Sequence, residues 1–205
     1  DHPATLQLLR KLSFPLAAPS ANPFGYVSPT SPAHVLAQLE GAIPYILDGG
    51  SSAIGVESTI IQPADKGIEV LRLGGTPVEK LEAVIKPVTV KRSSAANPTA
   101  PGQLASHYAP GTKVRVGDPQ QYLRKIAADK LGVISFRHWH RGIPAANQYV
   151  LSPKGDLTEA ARYLFDALRK LDRADLKVVV AEEFPEEGLG RAINDRLARA
   201  ATRAQ

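Results

Sequence analysis

The side chains best suited to chemistry fall in a few short polar clusters. In Ser20-Ala21-Asn22 a hydroxyl, an amide and backbone N–H groups follow the apolar run Pro15 to Ala18. Read as a strand, that run puts the cluster at a strand's C-terminal end, where open α/β sheets bind ligands; a surface turn is the alternative. In Gly55-Val56-Glu57-Ser58-Thr59, Gly55 lets backbone approach a ligand, while Ser58 and Thr59 offer hydroxyl donors and acceptors. Glu57 could act there as a base or orient an amine, or stand solvated beside a turn. Leu71-Arg72-Leu73-Gly74-Gly75 sets one arginine between apolar residues ahead of two glycines. Its guanidinium suits a bidentate phosphate clamp, which a lysine could not reproduce, or it snorkels from a strand edge.

Three further clusters are more ambiguous. Asp48-Gly49-Gly50 offers a carboxylate to a cation, or simply makes a tight turn. His107-Tyr108 stands in a Pro- and Gly-rich stretch that offers no core to pack in. There the ring could stack on adenine and the imidazole donate to phosphate, so the stretch reads as a lid that excludes water from a site in the first domain. His138-Trp139-His140 places two histidines two apart on an expected loop with no third ligand, and no metal site is expected.

Composition narrows the chemistry. The chain of 205 residues has no cysteine, which excludes disulfides, thiolate metal sites and a cysteine nucleophile. It carries no P-loop, nucleophile elbow or dinucleotide glycine fingerprint. A net charge of +5 attracts polyanions such as ATP or RNA, yet 20 acids are interspersed, so a solvated basic surface is favoured over a dedicated nucleic-acid footprint. No apolar run approaches the roughly 20 residues of a membrane span, and the N-terminus lacks signal-peptide character; a cytoplasmic protein without membrane contact is expected. The chain starts at Asp1 and has no Met, so it reads as a fragment.

The elements that must position these clusters follow from periodicity. Leu6, Leu9 and Leu12 recur at helical spacing after Pro3, and Ser31-Pro32 starts a second helix carrying Val35, Leu36 and Leu39. Strands are expected over 15–18, 45–47, 58–62 and 69–71, then a short helix from Thr76-Pro77 to Ile85. Residues 1–86 form one α/β domain with a mixed sheet, and 87–112 an extended linker. Residues 113–205 read as a small Rossmann-like α/β domain. Its strands lie near 113–116, 131–136, 149–151 and 178–181, with one helix capped by Asp118-Pro119 and a closing helix over 191–201.

Taken in order and spacing, Asp1-His2-Pro3, Ala17-Ala18-Pro19-Ser20-Ala21-Asn22, Ser28-Pro29-Thr30, Asp48-Gly49-Gly50, Gly55-Val56-Glu57-Ser58-Thr59, Leu71-Arg72-Leu73-Gly74 and Pro101-Gly102-Gln103 with His107-Tyr108-Ala109-Pro110 resemble the YrdC-like threonylcarbamoyl-AMP synthases. Residues 1 to about 112 carry the resemblance, and the rest resembles the C-terminal extension of the family's long form. The resemblance implies a nucleotidyltransferase that joins L-threonine, bicarbonate and ATP, with Mg2+ accompanying the nucleotide, into threonylcarbamoyl-AMP and pyrophosphate. A downstream transferase then modifies an adenosine of tRNA. It assigns Ser20, Asn22, Ser28, Arg72, His107 and Tyr108 to ATP, and Ala18 and Ser58 to threonine, with no side-chain nucleophile and possible tRNA contact. The family's Lys/Arg-rich opening segment has no counterpart, so this stretch alone is expected to bind ATP weakly. A carbamoyltransferase of hydrogenase maturation shares the domain but carries Cys-rich zinc motifs, which are absent here. The remaining alternative is a non-catalytic RNA-binding or translation-linked module.

Overall fold

The computed structural model describes residues 2–91, 101 and 107–202; Asp1, Gly102 and Gln103 lie outside the described residues. The chain is a mixed α/β structure with two sheets. In the N-terminal half, α1 (Pro3–Leu9) and α2 (Pro32–Leu39) precede β1 (Ile60–Pro63), β2 (Ile68–Arg72), α3 (Val78–Glu82) and β3 (Val88–Val90). Strand β2 is central, antiparallel to β1 and parallel to β3, which gives the mixed sheet expected. Ser31 caps α2 as its spacing implies, accepting the His34 N–H.

Two expected strands do not form. Residues 15–18 and 45–47 are irregular, because among the described residues neither has a neighbouring strand to complete a ladder, and apolar character alone does not make one. Val88–Val90, within the stretch expected as linker, hydrogen-bonds into the first sheet as β3.

The C-terminal half follows its pattern closely. Strands β4 (Val114–Val116), β5 (Leu131–Ser135), β6 (Gln148–Val150) and β7 (Val178–Ala181) form an all-parallel sheet in the order β4-β7-β5-β6. Crossovers run through α4 (Pro119–Leu123) and α5 (Leu157–Lys170), and α6 (Gly190–Ala201) follows the last strand. Residues of β5 and β7 are buried throughout, as strands covered on both faces must be. Alternation divides them: Ile134, Val179 and Ala181 pack toward α5 and α6, whereas Leu131, Val133, Val178 and Val180 pack toward Tyr122 and Leu123 of α4. Asp156 caps α5 by accepting from the Thr158 and Glu159 N–H groups, and the helix buries Leu164, Phe165 and Leu168.

The two halves meet through side chains that each lends to the other. Val27, fully buried, belongs to the α5/α6 core. Beside it the Tyr26 hydroxyl donates to Asp172 at 2.6 Å, and Asp172 also accepts from the Gly111 and Thr112 N–H groups at 3.1 and 2.7 Å. Arg169 of α5 donates to the Val27 carbonyl and to Gln38 and stands over the Tyr26 ring.

Candidate substrate site at the seam

Arg72 ends β2, and its guanidinium turns back onto the 55–59 loop. Nε and Nη2 donate to the Ser58 carbonyl at 3.0 and 2.9 Å, Nη2 also to the Ser58 hydroxyl at 3.1 Å, and Nη1 to the Pro101 carbonyl at 3.2 Å. The residue assigned to nucleotide and the residue assigned to threonine are therefore joined directly. The loop is tied to the end of β2 a second time: the Gly75 N–H donates to the Glu57 carbonyl and the Thr76 N–H to the Thr59 hydroxyl. Gly55 opens the loop at φ +82°, with its Cα against α5; a Cβ would lie 2.4 Å from the Arg162 Cα, so only glycine fits.

Glu57 is not the solvated carboxylate that a turn position suggests. Ser28 donates its hydroxyl proton to one oxygen at 3.0 Å, and Arg196 of α6 donates to the other at 3.0 Å. Burial pushes the carboxyl up, but the Arg196 charge, a backbone N–H, the Ser28 hydroxyl and the Arg196 hydrogen bond together hold it below the ordinary value. With its proton committed to Glu57, Ser28 offers a nucleotide only lone pairs in this arrangement.

Tyr108 differs most from its expected setting. Rather than lacking a core, it is 1% exposed, stacked on Phe165 at 5.3 Å, with the Arg196 guanidinium 5.1 Å from its ring centre. Burial, and then the Glu57 charge, push its hydroxyl up to about 12. Its covered ring offers no face to an adenine here. The cause is a left-handed backbone, φ +59°, that turns the side chain inward while the Ala109 N–H pairs with the Gly25 carbonyl. His107, adjacent to it, keeps its ring near Phe24. Burial and the cations of Arg196, Arg199 and Arg72 lower its pKa, so the imidazole is neutral near pH 7.

Asn22 holds its own loop, with Nδ2 donating to the Pro23 and Tyr26 carbonyls. Among the described residues its Oδ1 and the Nδ1 of His107 are buried without a partner, two polar atoms that a ligand or water would complete. Ser20 and Ala18 stand exposed on the approach to that loop. Asp48 accepts the Gly50 N–H at 2.8 Å, the tight-turn alternative. His140 pairs with Glu182 at 2.8 Å, and among the described residues no group of three or more His, Asp or Glu gathers as a metal site.

Beside Arg72 opens a cleft of about 550 Å3 between β2, β3 and α6. Arg72, Lys91, Arg191 and Arg199 face it along with Asp195 and Glu186, a predominantly cationic lining suited to an anion. Arg196 and the α6 side of this cleft are absent from the sequence expectations. The signal was there: position 196 falls in the apolar stripe of Ala192, Ile193, Leu197 and Ala200, and a charge in such a stripe needs a buried partner.

Among the described residues no helix is long and apolar enough to cross a membrane. The family described as threonylcarbamoyl-AMP synthase, C-terminal domain, matches residues 76–202. A second, described as telomere recombination and named for Sua5, YciO and YrdC, matches residues 1–74. A Bacillus subtilis protein named threonylcarbamoyl-AMP synthase is 38% identical, covering 98% of this chain and 61% of its own length. A Pyrococcus abyssi protein of the same name is 36% identical over 97% of this chain and 61% of its own. Two solved structures superpose with TM-scores of 0.83: P. abyssi Sua5 complexed with L-threonine, 37% identical over 98% of this chain and 62% of that one, and a variant of it with a His and a Tyr changed to Ala, 36% identical over 98% and 60%. The chain thus spans about 60% of the length of these relatives. On this match, and on the ordered site residues that carry it, the chain belongs to the threonylcarbamoyl-AMP synthase family.

Proposed function

We propose that the protein containing this chain is an L-threonylcarbamoyladenylate synthase acting on L-threonine, bicarbonate and ATP with its accompanying Mg2+. The threonine amine bonds to the bicarbonate carbon while a C–O bond of bicarbonate breaks, so that hydroxyl leaves as water with an amine proton and a carbamate remains; a carbamate oxygen then forms a bond to the α-phosphorus while the bond from that phosphorus to the bridging oxygen breaks, and pyrophosphate leaves. That displacement needs positive charge at the phosphates and a site closed to water, since a carbamate is short-lived in solution. Arg72 supplies a fixed cation, and the neighbouring cationic cleft suits the departing pyrophosphate. Ser58 lies on the threonine side with Ala18, and Ser20, Ser28, Asn22 and His107 lie on the nucleotide side. Tyr108 acts from the core, fixing the backbone that carries His107.

The observation that carries this reading is the Arg72–Ser58 junction, which joins a phosphate-binding type of side chain to a hydroxyl-bearing loop within about 3 Å. The product serves a downstream transferase that modifies tRNA, and a cytoplasmic location goes with that role. Calorimetry on the protein encoded in full should show L-threonine binding that weakens at least about 10-fold in Ser58→Ala, the loss of one well-placed hydrogen bond. No threonine binding, with or without ATP, would remove the reading. RNA binding with a steep salt slope and no ATP dependence would favour the non-catalytic RNA-binding alternative.

A further inference from the structure

We propose that Arg196, on the last helix of the C-terminal half, is a positioning residue for the substrate site: one buried guanidinium sets the relative placement of the 55–59 loop, the end of β2 and the Ser28 loop. The inference deepens the functional reading above and rests on it for the word substrate.

Arg196 is fully buried, and its donors are spread over separate segments. Nε donates to Glu57 Oε2 at 3.0 Å, Nη2 to the Leu73 carbonyl at 2.8 Å, and Nη1 to Asp195 at 2.7 Å. Leu73 follows Arg72, Glu57 precedes Ser58, and the second Glu57 oxygen holds Ser28. The same guanidinium lies against the Tyr108 ring, next to His107. The 55–59 loop, the end of β2 and the Tyr108 segment are thus each within one bond or ring contact of Arg196, and the Ser28 loop is reached through Glu57. Asp195 is in turn gripped by Arg199 at 2.9 Å, so the fork is braced from its own helix.

A stabilising ion pair alone would not require this arrangement. Taking both charges out of water offsets much of their attraction, and apolar residues of the same size often do as well. What apolar residues cannot do is fix a carboxylate, a carbonyl and a hydroxyl in one geometry. Lysine cannot either, because a single ammonium lacks the planar fork. The C-terminal half therefore reaches into the site through its own helix rather than only packing behind it.

Hydrogen exchange separates this from a merely structural role. The Gly75 and Thr76 amides donate across to the 57–59 loop and report directly on its placement. In Arg196→Lys they should exchange at least about 10-fold faster, while the amides of β5 and β7 keep their protection. Alongside, kcat for threonine-dependent pyrophosphate release should fall about 10- to 100-fold with a smaller change in KM for threonine, the pattern of lost orientation. If Arg196→Lys does not fold, Glu57→Gln cuts the same link from the other side and should loosen the same two amides. Unchanged exchange at Gly75 and Thr76, loosening spread evenly over the C-terminal sheet, or failure of both variants to fold would overturn the inference. Absence of pyrophosphate release by the unmodified protein would instead remove the functional reading, and the exchange result would still decide whether Arg196 places these loops.

Discussion

The two halves solve the burial problem differently. In the C-terminal half a parallel sheet is covered by α4 on one face and by α5 and α6 on the other, and its strands are buried end to end. In the N-terminal half α1 and α2 bury no residue, and among the described residues every exposed large hydrophobic side chain except Trp139 lies at or before Val90, with Phe24 88% and Tyr45 89% exposed. Apolar side chains left open in such number mark a surface that is uncovered within this stretch, which spans about 60% of its relatives' length. Candidate chemistry sits where the less finished half is tied down, on loops held by polar anchors from the well-packed half. The contrast assigns the C-terminal half the task of a rigid frame and the N-terminal half that of bearing the site.

That contrast breaks most visibly in the core. Phe165→Ala removes the ring under Tyr108 and should destabilise the protein by about 3–5 kcal/mol in chemical denaturation. Tyr45→Ala, at an exposed ring, should stay within about 0.5 kcal/mol. Equal losses at the two positions would erase the distinction between the halves.

A smaller effect tests the seam. Gly55→Ala forces an L-residue to φ +82° and sets its Cβ against Arg162 backbone. It should cost about 1–3 kcal/mol from the left-handed conformation alone, and lift the loop off α5. Near-wild-type stability would show that the loop does not rest on the helix.

The smallest effect is pH dependence. His34 accepts the Thr30 N–H on Nδ1 and bridges to Asp166 through Nε2, so it sits between the halves as a neutral ring. Burial and the Arg169 charge lower its pKa from 6.5 against the pull of Asp166. A depressed folded value means the unfolded chain binds the extra proton first, so stability should decline as pH falls below 6.5. Glu57, also depressed, adds a second decline as pH falls below 4.5. Thermal midpoints followed against pH should flatten in the first window for His34→Gln and in the second for Glu57→Gln; unchanged profiles would discard both assignments.

Legibility follows the same division. The C-terminal elements could be read because their cues are local: Asp118-Pro119 caps a helix, and Val178-Val179-Val180 reads as a strand buried on both faces. Residues 15–18 and 45–47 could not, since a strand exists only with a partner to pair with. At the site, Arg72 and Ser58 were recognisable by residue type and order, but not their contact, which depends on β2 and the loop converging in space. The setting of Glu57 stayed open between an acting and a solvated carboxylate, and Tyr108 was expected to lack a core, because a partner of both is Arg196, more than 80 residues further along the chain. Long-range pairing of a buried charge leaves only an indirect trace, an arginine in an apolar helical stripe.

In the proposed function this seam belongs to an enzyme that adenylates threonylcarbamate. Pyrophosphate release by the protein encoded in full, measured with ATP, L-threonine and bicarbonate each omitted in turn, tests it most directly. Release that requires all three and falls sharply in Arg72→Ala is the predicted result. Release that persists without threonine, or none with all three present, would contradict it.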